Sequence, residues 1–176
     1  MRIAECDIVF VSGEKKPGKD HWISRWAERF PNSFQFSAGE AAALNSRINA
    51  FLALLEKTSR PVVLVAQGSG VLLFSQAYSQ MIQFPVRGAF LVAPYKLRQK
   101  ELSLITDYHN EEFSLKSVLV ASRTDESSSF SHAQSLAERW NIPVLDAGEA
   151  GTLDERSGHG PWPEGLMSFA NFLQTV

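Results

Sequence analysis

Short apolar runs rich in Val, Ile, Leu and Phe alternate along the chain with stretches of helix length, and this alternation constrains the fold most. The runs span 7–11, 61–66, 86–92, 116–121 and 142–145, with a weaker one at 33–36. Runs that lack a polar alternation are the habit of strands buried on both faces, as in a parallel sheet. Between them lie helix-length stretches at 21–29, 40–57, 71–83, 129–140 and 164–174. In 40–57, Leu44, Ile48, Phe51, Leu52 and Leu55 keep a three-four spacing, so one face packs inward. Strands alternating with helices predict an α/β domain: a three-layer α/β/α sandwich around a mostly parallel sheet of about six strands. No repeat or linker divides the chain, so residues 1–176 are expected to form a single domain. The segment 95–114 is the least patterned and reads as a surface excursion, with His109 and also His132 at the surface.

Composition narrows the function classes. The formal net charge is −2, so no basic surplus exists to neutralise phosphates, which argues against a nucleic-acid partner. The single cysteine, Cys6, excludes an internal disulfide, fits a reducing compartment and is expected in the core. No apolar run approaches the roughly 20 residues of a membrane span. Residues 1–5 lack the apolar centre of a signal peptide, so a cytoplasmic location is expected and no membrane partner. No metal-ligand spacing links Asp125, Glu149, Asp154 and His159, so neither a metal nor a cofactor is expected.

The chemistry-bearing stretch is 61–74, Pro-Val-Val-Leu-Val-Ala-Gln-Gly-Ser-Gly-Val-Leu-Leu-Phe. A buried strand runs into a glycine-rich turn, and an apolar helix follows at once. This is the setting of a nucleophile elbow, where small residues two positions either side let strand and helix backbones approach. Ala66 and Gly70 supply the small pair, which puts Gly68, a residue without a side chain, at the nucleophile position. A register centred on Ser69 has Gln67 and Val71 as its outer pair. A phosphate-cradling turn is a third reading, although no Lys-Ser/Thr follows Gly70. A plain tight turn between strand and helix is a fourth.

Several motifs together carry a family resemblance. Residues 18–26, Gly-Lys-Asp-His-Trp-Ile-Ser-Arg-Trp, are similar to a Gly-x-Asp-His-Trp-x-x-x-Trp segment. Residues 63–70 fall where a Val-Ala-His-Ser-x-Gly elbow stands, 87–94 are similar to the strand after it, and 120–125 to the strand end that presents the acid. Residues 157–165, Ser-Gly-His-Gly-Pro-Trp-Pro-Glu-Gly, match a long C-terminal signature. On these grounds the chain resembles the small bacterial α/β-hydrolases that include the YdeN-type and retinoblastoma-binding-protein-nine-type serine hydrolases.

The resemblance implies an α/β-hydrolase-like fold without a separate lid domain, and Ser-His-Asp hydrolysis as the family chemistry. Carried over position by position, the nucleophile falls on Gly68, the acid on Asp125 and the base on Thr152, some eight residues before Gly160. Two of the three side chains therefore lack the required chemistry. The residue before the nucleophile is Gln67 instead of the usual His. The oxyanion loop keeps Gly13 but adds Glu14.

The expectation is a pseudoenzyme that keeps its cleft for a small acyl or aromatic ligand or for a protein partner. Its cleft residues would be Gly13, Trp22, Gln67, Gly68, Thr152 and Trp162. The competing expectation is an active esterase or amidase with a displaced site of Ser69, His159 and Asp125. The plainer readings are that Ser69 caps its helix, His159 is a loop histidine, and Asp125 accepts bonds within its own turn. His21 is expected to start the first helix with a structural hydrogen bond near the pocket.

Overall fold

Each apolar run forms a strand in the computed structural model, which describes residues 1–13, 16–37, 44–96 and 107–176. The strands are β1 (Asp7–Ser12), β2 (Ser33–Ser37), β3 (Val62–Gly68), β4 (Val86–Pro94), β5 (Lys116–Ala121) and β6 (Val144–Asp146). They form one sheet in the order β2-β1-β3-β4-β5-β6, and every pairing is parallel. The helices are α1 (Trp22–Arg29), α2 (Leu44–Leu55), α3 (Ser69–Met81), α4 (Phe130–Trp140) and α5 (Pro163–Leu173). Positions 40–43 of the second expected helix, and Glu14 of the oxyanion loop, lie outside the described residues.

Successive strand residues point to opposite faces, and both faces are dry. Val9, Val11, Leu64, Ala66 and Leu91 join the core that α2, α3 and α4 cover. Ile8, Phe10, Val63, Val65 and Phe90 join the second core, under α1 and α5. This explains the uninterrupted apolar runs: neither face of a central strand meets water. Strand β2 is at the sheet's edge and only half-buried, hence its weaker pattern. Among the described residues no helix is long and apolar enough to cross a membrane.

Two sequence expectations change. The excursion 95–114 is not all surface. Residues 97–106 lie outside the described residues, but Tyr108 and Phe113 are buried. The Phe113 ring stacks on Trp140 with centroids 4.7 Å apart, and the Tyr78 hydroxyl accepts from the backbone N–H of Ser114 at 2.7 Å. His109 is drawn in between the rings of Tyr78 and Phe113, and the Nε2 of His132 is buried. Trp22 and Trp162 are also core residues, their rings meeting edge to face 4.9 Å apart.

The strand order places the site. From β1 the chain first moves to the edge strand β2, then returns to pair β3 on the other side of β1. Such a reversal opens a crevice at the carboxyl ends of the strands. Gly13 leaves β1 there and Gly68 ends β3 there.

Candidate active-site cleft

The turn from β3 into α3 has elbow geometry. Gly68 caps α3 with φ +59° and ψ −124°, backbone angles that only glycine adopts without strain. A Cβ built on Gly68 meets nothing within 4 Å, so the apex opens into free space. A Cβ on Gly70 would collide with the carbonyl of Val11, so strand and helix touch backbone to backbone there. The elbow is thus centred on Gly68. Ser69 is the first helical residue, and no side chain caps α3.

A cleft of about 550 Å³ lies above this turn. Gly13 and Pro17 bound it on one side, Gln67, Gly68 and Ser69 form the floor, and Thr152 with Glu155 the far wall. A Cβ on Gly13 would lie 2.6 Å from the Ser69 Oγ, so the hydroxyl packs against the first loop. That hydroxyl has no hydrogen-bond partner among the described residues.

The other residues that the sequence singles out as candidates for catalysis are engaged locally. Thr152 Oγ1 donates to Asp154 Oδ1 at 2.7 Å and lies 2.8 Å from Ser157 Oγ. Asp125 Oδ1 accepts from the backbone N–H and the hydroxyl of Ser127 at 2.8 and 2.6 Å. His159 donates its backbone N–H to the Asp154 carbonyl at 2.9 Å, and its buried Nδ1 has no partner. The His159 ring sits edge-on to Trp162, 6.1 Å between centroids. Of Ser69, Asp125 and His159, only Ser69 lines the cleft, and no hydrogen bond joins any two of them. Of the expected cleft residues, Gly13, Gln67, Gly68 and Thr152 line it, while Trp22 and Trp162 lie beneath.

The carbonyl of Leu153 ties the far wall to the floor. It accepts from Trp22 Nε1 at 2.9 Å and from Gln67 Nε2 at 3.0 Å. Leu153 is fully buried and held at φ +53°, and Ala93 on the neighbouring strand end is held at φ +46°. Such angles persist in residues with a side chain only where the surroundings over-determine them.

His21 caps α1: its Nδ1 accepts the N–H of Ile23 at 3.1 Å. A neutral imidazole accepting at Nδ1 carries its proton on Nε2. That nitrogen is 3.7 Å from Glu155 Oε2, and burial holds the imidazole below its ordinary pKa against the pull of the Glu155 and Asp154 carboxylates. Asp154 accepts from Arg156 Nε and Nη2 at 2.9 and 2.7 Å. Burial would raise its pKa, but the bonds from Arg156, Thr152 and Ser157 outweigh that and hold it below the usual range. Residue type alone does not mark Glu155 and Arg156 as cleft residues; their turn is organised by Asp154, whose side chain caps the N–H groups of Arg156 and Ser157. Among the described residues no three His, Cys, Asp or Glu side chains converge as metal ligands would.

A family profile described as serine hydrolase matches residues 8–171. No curated protein matches the chain. Among solved structures, a protein of Pectobacterium atrosepticum assigned as a YdeN-like hydrolase is 28% identical. It superposes with a TM-score of 0.86 over 98% of this chain and 92% of that one. A hydrolase of the alpha/beta superfamily from Xanthomonas campestris gives 0.68 at 17% identity, covering 97% and 99% of the two chains. The ydeN gene product of B. subtilis gives 0.70 at 13% identity, covering 96% and 99%. At those identities the last two speak for the fold alone.

Proposed function

The chain belongs to the serine hydrolase family, and from that premise we propose that it is a pseudoenzyme, an α/β-hydrolase whose cleft binds a small ligand without cleaving it. The observation that carries this reading is Gly68: the backbone at the elbow apex keeps a nucleophile's conformation, φ +59° and ψ −124°, on a residue with no side chain.

Triad catalysis needs a hydroxyl, a base to take its proton and an acid to orient the base. The three act as a unit, so loss of one removes nearly the whole contribution. Roughly 10³–10⁴-fold over water is what binding and an oxyanion hole provide alone. Ser69 lines the cleft, but no histidine hydrogen-bonds its hydroxyl among the described residues. The cleft is within the usual size for a small-molecule site, and Pro17, Ala93 and Tyr95 give it apolar surface beside its polar floor.

A fluorophosphonate probe tests the reading. Intact protein is expected to remain unlabelled. Stoichiometric labelling at Ser69, abolished by Ser69→Ala, would overturn it in favour of a displaced site with His159 and Asp125.

A further inference from the structure

We propose that a groove at the amino-terminal end of the sheet docks an acidic peptide segment of a partner protein, an apolar side chain set between carboxylates. The cleft opens at the carboxyl ends of the strands, so this surface is at the other end of the sheet. It does not depend on how the cleft is read.

The groove holds about 400 Å³ where α3 ends and where β4 and β5 begin. Its centre is apolar. Met81 is fully buried, Val86 and Leu115 are half-buried, and Ile82 stands 61% exposed. Covering Ile82 and Leu115 with an apolar partner residue removes that surface from water.

Arg87 and Lys116 are the charged residues of the lining, and both are exposed. Neither forms an ion pair among the described residues. The carboxylates next before Lys116 in the chain are engaged elsewhere. Glu112 Oε2 accepts from Asn141 Nδ2 at 3.4 Å, and Glu111 Oε2 is 3.9 Å from His109 Nε2. In a chain of net charge −2, the groove therefore carries two uncompensated cations around an apolar centre. The occupant that complements it carries negative charge on both sides of an apolar group.

That occupant is a peptide segment on energetic grounds. Exposed cations hold single carboxylates weakly, because water and salt screen them. Affinity here needs one molecule to meet both charges and the apolar centre together, which a short acidic segment does and a small acid does not. Two cations are also too few for a nucleic acid, whose affinity comes from many phosphate contacts.

The test titrates the full chain with the peptide acetyl-Asp-Glu-Leu-Glu-Asp-amide and follows the backbone amide shifts. The uncharged counterpart, acetyl-Asn-Gln-Leu-Gln-Asn-amide, is expected to bind about tenfold more weakly, the loss of two exposed ion pairs. Serine in place of the peptide's leucine should weaken binding several-fold. The shifts should centre on Ile82, Leu115 and Lys116. Raising NaCl from about 20 mM to about 300 mM should weaken the acidic peptide. The double variant Arg87→Glu with Lys116→Glu should lose the acidic peptide and gain acetyl-Lys-Lys-Leu-Lys-Lys-amide, an exchange that a misfolded chain would not show. Ile82→Ser changes an exposed side chain and leaves both cations in place, and it should weaken the acidic peptide several-fold. Equal binding of the acidic and uncharged peptides, shifts centred on the Ser69 and Gly70 amides, or no binding of the acidic peptide at low salt would overturn the proposal. Unchanged affinity in both variants would overturn it as well.

Discussion

Gln67 Nε2 donates to the carbonyl oxygen of Leu153 at 3.0 Å, joining the residue before the elbow to the loop that carries Thr152. In a working triad that span is bridged by a histidine reaching the nucleophile. Here a side-chain amide one residue earlier holds the same two segments together. Gln67→Ala is expected to lower stability by about 1 kcal/mol, since Trp22 Nε1 still serves the carbonyl. Trp22→Phe removes a fully buried donor and should cost more, about 1–3 kcal/mol. Urea unfolding of the two variants checks the order.

Gly70→Ala is expected to be among the most damaging single changes in the chain. The added methyl meets the backbone carbonyl of Val11, which cannot rotate away as a side chain would. Relief requires α3 to move off β1, and the loss is expected to reach about 3 kcal/mol or more. A thermal melt within a few degrees of the parent protein would contradict this backbone contact.

The elbow and the sheet were legible in the sequence for physical reasons. Strands dry on both faces leave uninterrupted apolar runs, and close strand–helix contact demands small residues at Ala66 and Gly70. His21 as a helix start was legible from its place just before an amphipathic stretch. The Leu153 hub was not, because a backbone carbonyl leaves no mark on residue type and its donors are 131 and 86 residues away in the chain. Trp22 and Trp162 are core residues, which residue type does not reveal because an indole suits a core and a pocket equally well. Tyr108 and Phe113 were hidden within a stretch whose charges mask two buried rings.

Acidification should destabilise the fold as the pH falls through the ordinary histidine range. Burial keeps His21 below its ordinary value of 6.5, and burial with the Lys96 charge does the same for His132. The unfolded chain therefore takes up protons that the folded chain refuses. The stability from this difference is present above pH 6.5 and is lost as pH falls through that value toward the lower folded pKa values. Urea midpoints are expected to fall between pH 7.5 and 5.5, and His21→Asn, which keeps a capping side chain, should flatten part of the slope. Asp154, held below 3.8, contributes only in a separate, more acidic window.

Gly68→Ser should fold with a lower melting temperature and still hydrolyse nothing. The apex has room for the hydroxymethyl group, so the penalty is the backbone alone, about 1–3 kcal/mol for a side chain at φ +59°. The new hydroxyl would have no base, because Thr152 is engaged with Asp154 and Ser157 and neither accepts protons as imidazole does at neutral pH. Adding Thr152→His restores a base at the position that the family resemblance assigns to it. It also gives up the Thr152 bond to Asp154, which retains Arg156 as a partner. The double variant is expected to hydrolyse p-nitrophenyl esters measurably and to take a fluorophosphonate label at position 68. Asp125 is the remaining member, and its Oδ1 is occupied by Ser127. If the double variant is silent, Ser127→Ala should free that oxygen of the hydroxyl, leaving only the backbone N–H on it, and bring activity up. Silence in the triple variant would mean that the chain departs at more than two positions from the machinery that the resemblance implies.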